Sequence, residues 1–366
     1  MGYSYWICDT LTGAKKVPVR PSDGSWANAL NAISQGSHTF LLDDETNALL
    51  PWDSLTQDWA NTLVVDWNDE KGDDGQIVYA GLMLAPTVDH DTATMTIEHS
   101  TLRQIFTRRT TLGANGYGGV DGGRDEILNK TLASIAVRIV QDGCVGPTAG
   151  YPLPIRFPAL VTGPHSRTYR DWNFPVVHDE ITGVTNVIGG PDVAFPAHWT
   201  FAGQLEWDML AGTLTGPLLE WDLTVPERGL TEVKTAFDGR MRSTSSYVTG
   251  NGSEIKMLVK VARASTIVGP ALDSLEELGD VVDETVLQSH ADGNQATFGK
   301  RTEQWSASMQ ADGVPGLSSL VLGQPIRVKT RQLGPVAAGW HDLRLIGFSG
   351  DATTRTIKLS FQPGGS

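Results

Sequence analysis

Hydrophobic and polar positions alternate with a period of two along much of this chain. The clearest runs are Leu63-Val64-Val65-Asp66-Trp67, Ile77-Val78-Tyr79-Ala80-Gly81-Leu82 and Thr94-Met95-Thr96-Ile97-Glu98. Alternation sends every second side chain toward a core, so the segment 59–100 predicts three β-strands. Glycine and aspartate clusters at 71–75 and 89–91 supply the turns between them. The same pattern returns at 305–310, 326–331, 343–348 and 354–361, with isolated strands expected at 218–225 and 257–262.

Three segments carry a helical period instead. Trp26, Leu30 and Ile33 follow a serine that can cap them, which predicts a short helix within 22–33. Ile127, Leu128, Leu132, Ile135, Ala136, Ile139 and Val140 predict a helix over 124–141, with Gly143 as its terminator. Val286, Leu287 and Ala291 mark a third over 283–298. Between them, the glycines of 113–123 read as a linker, and 144–230, rich in Pro, Gly and Trp, has few clean periods. The expected fold is mainly β with α+β insertions: a β-barrel domain at 1–110, a loop-rich α+β middle domain at 111–230, a mixed domain at 231–300 and a second β-barrel at 301–366.

The two ends share more than strand content. Leu345-Ile346-Gly347-Phe348-Ser349-Gly350-Asp351 followed by Ala352-Thr353-Thr354-Arg355-Thr356-Ile357-Lys358-Leu359 resembles the stretch 82–91 followed by Thr92-Ala93-Thr94-Met95-Thr96-Ile97. Each is a strand, an aspartate-marked turn and a Thr-x-Thr-Ile strand. Either any two antiparallel hairpins built from common strand residues look alike, or the chain holds two related barrels. Three copies of such a chain would form a ring of six similar barrels.

Charge sharpens the asymmetry. The 366 residues carry a net charge of −14, and the span 41–100 alone holds thirteen acidic side chains against Lys71. From Ser319 onward Arg327, Lys329, Arg331, Arg344, Arg355 and Lys358 face only Asp342 and Asp351. These are either two ordinary solvated faces or an acidic and a basic end suited to head-to-tail contact between copies. The acidity argues against nucleic-acid binding, which needs clustered Lys and Arg. A hydrophobic fraction of 40% suffices for globular cores, and no window approaches 18 apolar residues, so neither secretion nor a membrane span is expected. Cys8 and Cys144, far apart, are expected to stay thiols, with Cys8 buried and inert.

No catalytic template is present. The sequence lacks His-Glu-x-x-His, Cys-x-x-Cys, a Gly-x-Ser-x-Gly elbow and a Walker loop, and no cofactor or metal is expected. Asp89-His90-Asp91 and His178-Asp179-Glu180 read as turn and surface residues, because neighbours in a strand or turn point apart. Of the eleven tryptophans, Trp6, Trp26, Trp59, Trp67, Trp221 and Trp305 fall within strand or helix patterns and are assigned to packing. Trp172, Trp199 and Trp207, in the irregular middle, are candidates for partner or glycan contact.

Several short pieces, in order along most of the chain, resemble minor tail proteins of actinobacterial long-tailed phages of the tail-hub family. They include Trp6-x-x-Asp9-x-x-Thr12-Gly13, Gly24-Ser25-Trp26-x-x-x-Leu30-Asn31, Val78-Tyr79-Ala80-Gly81-Leu82-Met83, Arg108-Arg109, Glu220-Trp221-Asp222-Leu223, Phe237-Asp238-Gly239-Arg240, Gly323-Gln324-Pro325-Ile326-Arg327-Val328 and Ile346-Gly347-Phe348-Ser349-Gly350-Asp351. The stretch 144–217 matches least. The resemblance implies a homotrimer at the virion tail tip, made in the host cytoplasm, that joins a sixfold tube to a threefold tip. It also implies contact with the distal tail ring, tape-measure and tail-tip or fibre proteins. DNA would pass through the lumen without specific binding. Asp66, Asp69, Glu70, Asp73 and Asp74 are then candidates to face that lumen, repelling phosphate, and Arg327, Lys329, Arg331 and Arg355 to sit between subunits. A receptor- or carbohydrate-binding tail protein is the alternative.

Overall fold

The computed structural model describes residues 2–68, 75–112, 117, 124–144, 153–266, 269–279 and 281–364. The chain is mainly β, as its alternation predicts. The first module comprises β1 (Gly2–Asp9), β2 (Lys15–Val19), β3 (Asp23–Ala29), β4 (Gln35–Leu41), the one-turn helix α1 (Trp52–Leu55), β5 (Asn61–Asn68), β6 (Gln76–Asp89) and β7 (Thr94–Thr101). Alternation in β5 places Leu63, Val65 and Trp67 in one core and Val64 in another. A strand sandwiched in this way has no solvent face, and Asn61 through Trp67 are all buried.

The middle of the chain follows: β8 (Arg124–Lys130), α2 (Leu132–Cys144), β9 (Ile155–Arg156), β10 (His165–Arg170), α3 (Val177–Thr185), β11 (Asp192–Ala194), β12 (Ala197–Trp199), β13 (Leu205–Asp208) and β14 (Leu210–Gly212). Its core, built from Ile135, Ile139, Val140, Val177, Ile181 and Trp207, runs on into Cys8, Val64 and Leu82 of the first module. The remaining elements are β15 (Leu219–Asp222), β16 (Thr231–Asp238), a small unit of β17 (Ser245–Thr249), β18 (Val259–Arg263), β19 (Asp273–Glu277) and α4 (Glu284–Phe298), then β20 (Thr302–Gln310), β21 (Pro325–Thr330), β22 (Gly339–Asp351) and β23 (Thr356–Pro363). The Asp283 side chain caps α4 by accepting from the Thr285 N–H at 2.8 Å. No helix among the described residues is long and apolar enough to cross a membrane.

Among the described residues thirteen strands form one sheet, ordered β16-β20-β23-β22-β3-β4-β7-β6-β5-β1-β2, with β21 on β22 and β15 on β21. Two copies of one motif are visible in that order. The run β3-β4-β7-β6-β5-β1 is matched by β16-β20-β23-β22-β21-β15, each drawn from the chain in the same sequence. The pairings agree in direction except the last, where β1 is antiparallel to β5 and β15 is parallel to β21. Both central hairpins carry a register shift at the same offset before the turn, at Met83/Ala85 and Leu345/Gly347. Both turns close on an aspartate, Asp89 accepting from the Asp91 and Thr92 N–H groups and Asp351 from that of Thr353. Coincidence of common strand residues does not produce a shared strand order and a shared bulge, so the likeness of the two ends is a structural repeat.

Closure differs from expectation. Among the described strands the path is open, with both modules in one sheet joined where Gly347–Asp351 of β22 pairs with Ser25–Ala29 of β3 and a single apolar core runs through both. The stretch 22–33 is strand over Asp23–Ala29 and turn or bend beyond it, not helix. Trp26 is buried at 1% exposure, stacked on Tyr79 and edge-on to Phe348, and strand pairing on both sides of β3 outweighs a weak local helical period. Within 124–141 only the second half is helical. Ile127 is buried by the β8–β10 pairing, Asn129 takes a left-handed φ of 52°, and the helix starts after Thr131, whose Oγ1 accepts from the Ser134 N–H. The helix passes Gly143 and extends to Cys144.

Candidate functional site

The outer face of β15–β21–β22 is a charged ridge made by strand register. In the parallel β15–β21 pair, Leu219 and Trp221 lie beside Ile326 and Val328 in the core, and Glu220 and Asp222 lie beside Arg327 and Lys329 outside. Arg327 bridges Glu220 at 2.9 Å and Asp342 on β22 at 3.0 Å, with its guanidinium over the Trp340 ring. Lys329 pairs with Asp222 at 2.9 Å, Arg331 donates to the Thr224 carbonyl at 2.9 Å, and Arg355 meets Asp312 at 2.8 Å. Each of the four basic candidates therefore contacts an acceptor of its own chain. The sequence reading missed those partners, although Glu220-x-Asp222-x-Thr224 against Arg327-x-Lys329-x-Arg331 is the alternation that would have revealed them.

Of the acidic candidates, Asp66 is buried at 7% exposure between β1 and β6, with the Ser4 hydroxyl donating to it at 3.3 Å, so it lines no open surface of the chain. Asp69, Glu70, Asp73 and Asp74 lie outside the described residues, as do most of the 71–75 turn and the 113–123 linker. Trp207 is core, at 1% exposure. Trp199 is half-buried under the Lys15 ammonium at 3.9 Å, and Trp172 is exposed beside Arg170. Trp26, Trp67, Trp221 and Trp305 pack inside, Trp6 is half-buried, and Trp59 is 37% exposed with a left-handed φ of 63°.

Three parts of the chain meet at Asp192 on β11. Its carboxylate accepts from the Arg344 guanidinium of β22 at Nη1 (3.1 Å) and Nη2, from the Leu214 N–H at 3.3 Å and from Asn31 Nδ2 at 3.4 Å. Asn31 Oδ1 in turn accepts from the Val193 N–H at 2.6 Å, and Arg344 Nε donates to the Gly323 carbonyl at 3.0 Å. The ion pair thus fastens the middle of the chain to the second module, and the Asn31 hydrogen bonds fasten it to the first. Beside it lies an apolar cavity of about 180 Å³ lined by Asn28, Tyr79, Arg103, Phe195, Leu320 and Phe348 among others. The buried Arg103 donates to His178 Nδ1 (3.4 Å) and Thr182 Oγ1 (3.1 Å), and burial pulls its pKa down to about 10. No nucleophile with a base converges there.

The other buried polar groups are also structural. Tyr79, His99 and His38 form a hydrogen-bonded chain, Tyr79 Oη to His99 Nδ1 at 2.8 Å and His99 Nε2 to His38 Nδ1 at 2.7 Å, inside the first module. Burial pushes His38 down to about 4 and His99 well below the ordinary imidazole range. Cys8 is fully buried, which raises its thiol to about 12, and both cysteines are free. Asp89 and Asp91 are exposed turn residues, whereas His178, Asp179 and Glu180 form the first turn of α3. Among the described residues no group of three or more His, Cys, Asp or Glu could hold a metal ion.

Asp142 on α2 is a testable member of this set. Burial and the neighbouring Asp125 carboxyl raise it to about 8 despite the Arg138 guanidinium at 2.9 Å. A folded pKa above the unfolded one means its contribution to stability holds in acid and is lost as pH rises through that value. Asp142→Asn is therefore expected to unfold at higher denaturant than the wild type at alkaline pH, the difference vanishing toward about pH 4. A pH series of urea melts reads it, and a constant difference across the series would refute the assignment.

No protein-family model and no curated sequence matches the chain. Solved structures do. The 43 kDa tail protein of prophage MuSo2 from Shewanella oneidensis is similar over 98% of both chains with a TM-score of 0.61 at 12% identity. A tail protein from Neisseria meningitidis covers 100% of this chain with a TM-score of 0.54 at 12% identity, 98% of that chain being matched. The c3393 protein of Escherichia coli, a component of the type VI secretion system described as structurally similar to the T4 tail proteins gp27 and gp5, aligns over 99% of this chain and 77% of its own with a TM-score of 0.52 at 10% identity. The chain shares its fold with these tail and type VI secretion proteins over 98–100% of its length.

Proposed function

We propose that this protein is a non-enzymatic structural hub of a phage tail, a homotrimer at the distal end of the tail tube through which DNA passes. The observation that carries this is the internal repeat: two modules of one strand order per chain make six in a trimer, which reconciles a sixfold tube with a threefold tip. The hub-like fold over nearly the whole chain supports it. Of the two proposed hub modules, 1–110 and 301–366, the second gains β15 and β16 through their pairing with β21 and β20. The tube ring, tape-measure and tip or fibre proteins are the proposed partners, and an actinobacterial phage the proposed source, on the sequence resemblance alone. Asp69, Glu70, Asp73 and Asp74 remain the proposed lumen charges. Native mass spectrometry of the full chain, or particle images of tails, is expected to show three copies around one axis. A chain that stays monomeric and is absent from tails would overturn the reading.

The exposed Trp172, beside Arg170, keeps a second reading open, a receptor- or glycan-binding tail protein. A glycan array that retains the full chain, with retention lost in Trp172→Ala, would favour it.

A further inference from the structure

The junction between the two modules inside one chain specifies, by the repeat, a junction between chains. Within the chain the second half of β22 pairs with β3: Gly347 with Ala29, Phe348 with Asn28, Ser349 with Ala27, Gly350 with Trp26 and Asp351 with Ser25. Superposing the registers maps Gly347–Asp351 onto residues 85–89 of β6, because Asp89 and Asp351 close equivalent turns and Ala85–Glu98 corresponds to Gly347–Ser360. Following β4–β7 against β20–β23 maps Ser37 onto Ser306, and their partners map Ser25 onto Lys234 of β16.

Both mapped segments lack a partner where the repeat requires one. Residues 85–89 of β6 pair only with β7 and are all exposed, and β16 is an end strand pairing only with β20. The regular part of β16, beyond its register shift between Thr231 and Lys234, is Lys234 to Asp238, five residues facing five. We propose that residues 85–89 of one chain pair antiparallel with residues 234–238 of a second copy, in the register Ala85–Asp238, Pro86–Phe237, Thr87–Ala236, Val88–Thr235 and Asp89–Lys234. This rests on the trimeric hub reading and supplies its contact. An eight-stranded path from β16 to β6 then continues into the next chain, a heterologous contact that closes on itself as a ring.

The chemistry of the two edges agrees with that register. It sets the Asp89 carboxylate opposite the Lys234 ammonium at the end of the ladder. In β22 the even-numbered positions hydrogen-bond across the junction, the Ala352 N–H donating to the Gly24 carbonyl and the Leu30 N–H to that of Ile346, both at 2.8 Å. Their counterparts in β6 include Pro86, which accepts from the partner and donates nothing. One bond of the ladder is therefore missing, and the same proline keeps the free edge from pairing with unrelated strands before assembly.

Thr87 and Ala236 form a non-hydrogen-bonded pair, the geometry in which cross-strand side chains lie closest. Full-length Thr87→Cys and Ala236→Cys variants, mixed and gently oxidised, are expected to give disulfide-linked species of two chains, and the double variant linked species up to three. Thr87→Cys mixed with Lys234→Cys, displaced by two residues, is expected to lose nearly all of that product. Thr235→Pro removes only a donor that faces the partner and is expected to lower the oligomeric mass while the monomer stays folded by circular dichroism. If the wild type has a three-chain mass but the 87–236 link forms no better than the displaced one, this register is wrong and the ring reading stands. If the wild type is monomeric at every concentration this pairing falls, and if it is also absent from tails the hub reading falls with it.

Discussion

Asp192→Ala is expected to destabilise the full chain by about 3 kcal/mol, the lower end of the range for removing one partner of a buried pair. The lower end applies because the pair is not wholly dry, with side-chain exposures of 26% for Arg344 and 13% for Asp192. The loss has a specific origin. Without the carboxylate, Arg344 keeps only the carbonyls of Gly323 and Leu214, and the Leu214 N–H and Asn31 Nδ2 lose an acceptor. Asp192→Asn, which retains one oxygen, should cost less. Arg344→Met in the Asp192→Ala background removes the stranded charge and should recover more than half of the loss, because the two residues act as one unit. Urea melts of the wild type, Asp192→Ala, Arg344→Met and the double variant complete this cycle, with Asp192→Asn measured beside them. A single-variant effect within about 0.5 kcal/mol of wild type, the level of an ordinary surface change, would show that the junction is held by apolar packing alone.

How much of this was legible follows from how far apart in sequence the cause of each feature lies. The strands at 61–68, 76–89 and 94–101, and those after 302, declare themselves because burial on one face of a sheet writes a period of two into the local sequence. The repeat was visible as two similar hairpins and became decisive only when strand order and bulge position could be compared. The segment 22–33 was misread because Trp26, Leu30 and Ile33 do have helical spacing, while the strand is imposed by β4 and by β22 more than three hundred residues away. Reading 124–141 as one helix failed similarly, since β8 exists by pairing with β10.

The candidate residues divide along the same line. Arg327, Lys329 and Arg331 were found as unopposed bases because their acceptors Glu220, Asp222 and Thr224 each lie 107 residues earlier, a constant separation that only a parallel strand pair produces. A basic C-terminal module thus becomes a locally neutral ridge, and the proposed self-association rests on unpaired backbone edges instead of on net charge. Asp66 looked like surface because it is charged, yet it occupies the inward position of a strand buried on both faces. The pair of His38 and His99, 61 residues apart, left no motif at all.

That histidine pair makes the molecule acid-sensitive in a defined window. Tyr79 Oη, His99 and His38 form one hydrogen-bonded chain whose donor order is set by the imidazole tautomers, and it ends at His38 Nε2, which is buried without a hydrogen-bond partner. The ring of Tyr5 packs edge-on against His38, and Asp351 is the charged group whose field favours its protonation, too weakly to offset burial. With its pKa pushed down to about 4 from 6.5, the folded state refuses a proton that the unfolded chain accepts. Stability is then complete above about pH 6.5 and falls as the pH drops toward 4, by about 3 kcal/mol for this one residue. His99, held still lower, adds to the loss in the same direction. His38→Gln, uncharged throughout, is expected to flatten the slope of unfolding free energy against pH between about 6 and 4 by one proton's worth. Tyr79→Phe, which removes a donor and leaves both imidazoles in place, should lower stability by about 1 kcal/mol without changing that slope. A His38→Gln slope equal to wild type would mean that the acid response belongs to other groups. If the hub assembles through the β6 edge, the same acid pulse is also expected to release subunits, because His38 sits on β4, which pairs directly with β7, the neighbour of β6.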